Sequence, residues 1–128
     1  DGWPDFIVGY YESGIELFIN DGTGRSFTSG GVYQSRQFRN VREVQPHDFD
    51  GDGYLDVAVA SLATSTVSLL YGTGRHAYGN YFDDPIPVPL NGGARHVHVD
   101  DFNGDGVADI AVTRIHADDV TILMGVRK

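Results

Sequence analysis

Short runs in which apolar and polar positions alternate, such as Ile15/Leu17/Ile19 and Val67/Leu69/Tyr71, carry the period-two pattern of half-buried strands. Strands are expected at Phe6–Gly9, Val57–Ser61 and Ile110–Arg114. A second set is expected at Ile15–Ile19, Val67–Tyr71 and Val120–Met124, and a third at Val41–Gln45 and Ala94–Val99. A fourth set follows a Gly-Thr-Gly turn, near Val32–Gln34 and Phe82–Val88. Residues 54–71 hold neither Gly nor Pro and alone would pass for a helix. The matching stretches contain Glu12-Ser13-Gly14 and His116-Ala117-Asp118-Asp119, so a turn is expected to break all three.

That matching rests on an internal repeat. Asp48-Phe49-Asp50-Gly51-Asp52-Gly53-Tyr54-Leu55-Asp56 recurs as Asp101-Phe102-Asn103-Gly104-Asp105-Gly106-Val107-Ala108-Asp109, 53 residues later. A shortened copy, Asp1-Gly2-Trp3-Pro4-Asp5, opens the chain 51 residues before the first full one. Gly22-Thr23-Gly24-Arg25 likewise returns as Gly72-Thr73-Gly74-Arg75. A period near 50 falls among those of solenoids and propellers, and four short antiparallel strands per period describe a propeller blade. The expected fold is all-β, a partial β-propeller of about two and a half blades. Residues 1–39 supply strands two to four of one blade, 40–91 a whole blade, and 92–128 strands one to three of a third. An opening inside a motif, without an initiator Met, suggests a segment of a longer polypeptide, completed by the rest of that chain or by copies of itself.

The repeated loop has the composition of a cation site. Counting from its first residue, oxygen-bearing side chains fall at positions 1, 3, 5 and 9: Asp48, Asp50, Asp52 and Asp56, then Asp101, Asn103, Asp105 and Asp109. The shortened copy keeps positions 5 and 9, Asp1 and Asp5. A hard divalent cation takes six to eight oxygens, and a tight loop delivers alternate side chains plus one backbone carbonyl. That carbonyl belongs to position 7, which is Tyr54, Val107 or Trp3. Glycines at positions 4 and 6 let the backbone curl around the ion. An EF-hand is disfavoured: it needs a Glu at position 12 between helices, and Val59 and Val112 stand there within strands. Plain Asp/Gly turns are the alternative, but turn chemistry does not call for several carboxylates within nine residues. Ca2+ is favoured over Mg2+, which demands stricter octahedral geometry.

These residues, Asp48–Val59 and Asp101–Val112, resemble the FG-GAP/VCBS repeat family, calcium-loop β-propellers that include the head of integrin α subunits. The resemblance implies that the loop joins the first two strands of a blade and binds calcium through the ligands just named. It also implies a secreted or cell-surface setting, with adhesion, carbohydrate binding or attachment to a secreted enzyme. The Gly-Ala-Pro element that integrins carry after the second strand is replaced by Gly9-Tyr10-Tyr11, Ala60-Ser61-Leu62 and Thr113-Arg114-Ile115. The chain is therefore closer to the bacterial VCBS type, and integrin-like ligand binding is not implied.

Charge and composition narrow the function further. Eighteen acidic residues against nine basic ones give a net charge of −9. A nucleic-acid surface, which needs clustered Lys and Arg, is disfavoured. Nine of the 18 acids sit in the three loops, and two bound divalent ions would take −9 to −5. Cysteine is absent, excluding disulfides, thiolate zinc sites and a Cys nucleophile, so the ions are the expected staples. No apolar run is long enough to span a membrane as a helix.

His96, His98 and Asp100 alternate along one strand, and read as a zinc or catalytic cluster they would share a face. Their counterparts Glu43, Gln45 and His47 are polar without matching as ligands, which favours a plain polar strand face. The 15 aromatic residues, among them Tyr10, Tyr11, Tyr33, Tyr78, Tyr81 and Trp3, are expected mainly as core, with sugar stacking as the alternative. No catalytic triad or phosphate loop stands out. The expectation is a non-catalytic, calcium-binding recognition or adhesion module with a glycan or protein ligand. The alternatives are an accessory module of a secreted carbohydrate-active enzyme and a self-assembling structural repeat.

Overall fold

The computed structural model describes residues 1–12 and 14–126, and among them ten strands form three antiparallel sheets without a helix. Ser13, placed by the sequence in the first hairpin turn, and residues 127 and 128 lie outside the described residues. Sheet 1 is β1 (Phe6–Tyr10), β2 (Gly14–Asn20) and β3 (Phe27–Tyr33), in that order. Sheet 2 is β4 (Val41–His47), β5 (Asp56–Ser61), β6 (Thr66–Leu70) and β7 (Ile86–Pro89). Sheet 3 is β8 (Ala94–Asp100), β9 (Asp109–Arg114) and β10 (Asp119–Leu123). Every strand follows its sequence neighbour, so each sheet is a simple meander.

The hairpins repeat in detail. The turn at residues 62–65 breaks the helix-like stretch 54–71, with Ser65 at φ 53°, and Asp118 at φ 51° holds the same place between β9 and β10. The Leu62 N–H donates to the Asn40 carbonyl at 3.0 Å, and the Ile115 N–H to the Gly93 carbonyl at 3.1 Å, 53 residues further on. Side chains alternate across β5, so its two faces feed two cores. Val57 and Val59 pack with Ile15, Phe38, Val41 and Leu70 toward sheet 1. Ala58 and Ala60 pack with Val67, Val97, Ile110 and Val112 toward sheet 3. All six residues of β5 are buried, which makes sheet 2 the covered centre of a stack. Burying each such Val contributes roughly 1.5–3 kcal/mol.

Between sheets, the nearest strands are β1 with β4, and β4 and β5 with β8. A polar latch reinforces the second contact. A register shift between Ala94 and Val97 frees the Val97 N–H, which donates to Glu43 Oε2 at 2.7 Å. The same Glu43 oxygen lies 3.3 Å from His96 Nδ1.

The outermost strands depart from the expected places. β3 occupies Phe27–Tyr33 and not Val32–Gln34, because the Gly30-Gly31 pair, turn-like in sequence, is needed inside the strand. A Cβ on Gly31 would stand 2.6 Å from Gly79 N, and the Gly79 N–H donates to the Gly30 carbonyl at 2.8 Å. Glycine in a strand often marks such a close approach. β7 begins at Ile86, after Pro85, where Phe82 was expected to start it; Phe82 makes only an isolated bridge to Gly72. Pro87 and Pro89 lack N–H donors, which an edge strand tolerates. β6 and β10 stop at Leu70 and Leu123, so Tyr71 and Met124 fall just beyond them.

Candidate metal centre

Each full acidic loop joins the first two strands of its sheet, β4 to β5 and β8 to β9. Its first residue organises the turn. Asp48 Oδ1 accepts the Gly51 N–H at 2.8 Å, and Oδ2 accepts the Gly53 N–H at 3.0 Å. Asp101 repeats this with Gly104 and Gly106, both at 2.7 Å, and takes the Asp105 N–H at 3.1 Å. Those N–H groups, Gly106 first, hold the Asp101 carboxyl below the usual range. Positions 3 and 5 each accept the N–H two residues ahead. Asp50 takes that of Asp52 (3.3 Å), Asp52 that of Tyr54 (2.8 Å), Asn103 that of Asp105 (2.8 Å) and Asp105 that of Val107 (2.8 Å). The glycines at positions 4 and 6 have positive φ throughout, from 77° to 90°.

Position 9 plays a second part that the sequence did not reveal. Asp56 and Asp109 are fully buried. Asp56 Oδ2 accepts the Phe49 N–H at 2.8 Å, while Oδ1 accepts the Gly72 N–H at 2.7 Å. Asp109 does the same with Phe102 at 3.0 Å and Gly125 at 2.7 Å. One carboxylate thus ties the start of the loop to the residues just beyond β6 or β10. The shortened copy keeps half of the clamp, since Asp5 Oδ1 accepts the Asn20 N–H at 2.8 Å. Burial pushes the Asp56 carboxyl up, the Gly72 and Phe49 N–H groups pull it down, and the charges of Asp50 and Asp52 push it up again.

The signal for this clamp was a Gly recurring 16 residues after position 9, at Gly72 and Gly125. Its cause is close approach: a Cβ there would lie 2.6 Å from the Leu55 carbonyl oxygen or 2.3 Å from that of Ala108. The side chain of position 7 covers the same turn. Tyr54 lies over Gly74, Trp3 over Gly22 and Val107 over Gly125.

The upstream loop gathers its acids. One oxygen each from Asp48, Asp50 and Asp56 lie within 4.8 Å of one another. Oxygens bound to one calcium ion at about 2.3–2.6 Å can be at most about 4.6–5.2 Å apart, so the three fit a single ion. Asp52 falls outside that group, as do Asp1 and Asp5 of the shortened copy, where the Asp1 carboxylate accepts the Trp3 N–H at 2.9 Å. In the downstream loop Asn103 replaces the carboxylate of position 3, and its Nδ2 donates to Asp105 Oδ2 at 3.0 Å. Asp101, Asp105 and Asp109 do not form such a group. His96 and His98 part company: His96 faces Glu43, and His98 packs against the Phe102 ring with centroids 6.3 Å apart.

FG-GAP-like repeats match residues 1–59 and again 48–112, a span that takes in all three acidic loops. The chain belongs to the FG-GAP-like repeat family. The two FG-GAP matches overlap on the upstream loop, which both of them contain. No curated protein and no solved structure matches the chain.

Proposed function

We propose that this FG-GAP chain is a non-catalytic, calcium-binding section of a β-propeller that serves recognition or adhesion outside the cell. The observation that carries the reading is the convergence of Asp48, Asp50 and Asp56 within the span of one calcium shell. Asp52 and the Tyr54 carbonyl complete the oxygen set in the upstream loop. Asp101, Asn103, Asp105, Asp109 and the Val107 carbonyl form a weaker downstream set. Each sheet corresponds to a blade, and the ions fix the first strand of a blade to the second. Extracellular calcium, roughly millimolar, suits sites of modest affinity.

Ion binding stabilises the folded state by linkage. Saturating Ca2+ is therefore expected to raise the Tm by several degrees over the protein in excess chelator. Identical melting curves in the two conditions would refute a structural metal.

A carbohydrate ligand has support of its own. A cleft of about 810 Å³ between sheets 1 and 2 is lined by Trp3, Tyr54 and Tyr81 beside Asp5, Arg75 and His76. Rings stack on sugar faces, and charged groups bind hydroxyls. Retention on a glycan array, lost in Trp3→Ala, checks that ligand class; a chain that binds no glycan would remove it.

A further inference from the structure

The stacking of sheets obeys one rule inside the chain and leaves the same rule unused at both ends of the stack. Paired residues on the forward face of sheet 1 are Ile7/Leu17 and Gly9/Ile15, and that face packs on sheet 2. Ala58/Leu69 and Ala60/Val67 are the register equivalents in sheet 2, and they pack on sheet 3. Ala111/Ile122 and Thr113/Val120 are the equivalents in sheet 3. Nothing in the described structure packs on these last pairs. Val67 is 0% exposed, whereas Val120 is 59% and Ile122 44% exposed. Phe102, the counterpart of the half-buried Phe49 that joins the sheet 2–sheet 3 core, is exposed on that side as well.

The opposite face follows the same correspondence. Sheet 2 presents Val57/Leu70 and Val59 backward onto sheet 1, and sheet 3 presents Ile110/Leu123 and Val112 backward onto sheet 2. The equivalents in sheet 1 are Phe6/Phe18 and Val8. Phe6 stacks on Phe18 and meets Phe27 edge-on, each at 4.8 Å between centroids, and Phe6 is 43% exposed. Two apolar faces at opposite ends of the stack are thus the two halves of an interface that the chain already forms twice. Contiguous exposed apolar surface of this kind marks an interaction site.

We propose that the forward face of sheet 3 docks on the backward face of sheet 1 from a second copy of this chain. The contact is heterologous and head to tail, so each copy keeps one free face of each kind and copies add into a ring or an open filament. The inference rests on the register correspondence and is independent of calcium.

Light scattering of the full chain across a concentration series tests it. Wild-type protein is expected to grow beyond a dimer, while Val120→Glu (forward face blocked) and Phe6→Glu (backward face blocked) each stay at the mass of one chain. Val120 is solvent-facing, so its variant should keep the wild-type circular dichroism spectrum; Phe6→Ser serves as the milder backward variant. An equimolar mixture of the two blocked variants retains one good face of each kind and is expected to form a dimer and nothing larger. A wild-type chain that keeps a single-chain mass at its highest soluble concentration overturns the proposal. So does a mixture that stays monomeric, or variants that associate like the wild type.

Discussion

The upstream and downstream acidic loops share spacing, glycine geometry and the buried clamp at position 9, yet only the upstream loop draws three carboxylates into one cation-sized group. The difference traces to one atom. At position 3 the upstream loop has a carboxylate, Asp50, and the downstream loop an amide, Asn103, whose N–H donates to Asp105. An amide satisfies its neighbour from within, whereas a carboxylate adds to the negative charge around Asp56. The comparison separates two jobs of one motif. The clamp of Asp56 or Asp109 onto backbone N–H groups belongs to the protein itself, and charge gathering belongs to the ion.

The largest effect should come from breaking the clamp. Asp56→Ala or Asp109→Ala leaves two backbone N–H groups without their acceptor, each costing about 1–3 kcal/mol when buried, so a loss of about 2–5 kcal/mol is expected by urea denaturation in chelator. Asp5→Ala, which removes a single such bond, should cost far less. Equal losses for Asp5 and Asp56 would collapse the distinction between the full and the shortened copy.

Exchanging position 3 tests the other half. Asn103→Asp should strengthen calcium binding by the downstream loop and Asp50→Asn weaken it in the upstream loop, each by about tenfold, because affinity in such loops follows ligand charge. In chelator the order reverses, since Asn103→Asp adds repulsion that no ion relieves. Calorimetric titration reads both; affinities unmoved by the exchange would show that position 3 does not set the difference.

A smaller effect separates the hairpins beyond the loops. Ser61 and Thr66 close the β5–β6 hairpin as buried residues, while their counterparts Arg114 and Asp119 close β9–β10 as an ion pair, with Arg114 Nε donating to Asp119 Oδ1 at 2.7 Å. The Arg114 hydrogen bond holds the Asp119 carboxyl below its ordinary value. A depressed carboxylate contributes stability above its unfolded pKa and loses it as pH falls through the folded one. Asp119→Asn should therefore remove a small increment at neutral pH and none in strong acid, since the pair is solvent-screened. Melting profiles that differ only in acid would contradict that sign.

Much of this was legible in the sequence because it is local. Period-two alternation places β1, β2, β5, β6, β9 and β10 to within a few residues, and the nine-residue spacing at Asp48 and Asp101 picks out the loops. Turn residues at equivalent positions correctly split the helix-like stretch before Val67. The misplaced edges, β3 and β7, are where local cues mislead. Gly30-Gly31 looks like a turn until Gly79 is seen to approach it, and Phe82 looks like a strand residue until Pro85 and the Gly72 bridge delay β7.

Sequence alone thus determined the strand order, the repeat and the set of oxygen ligands, since each is written in residues a few positions apart. Only the tertiary structure decided that Asp56 reaches Gly72, that the Val97 N–H finds Glu43 54 residues away, and that His96 turns from His98. It also decided which of two equivalent apolar faces is covered, leaving Val67 buried and Val120 open. The physical reason is that a residue's type sets what it can bond to, while packing between distant segments selects which partner arrives.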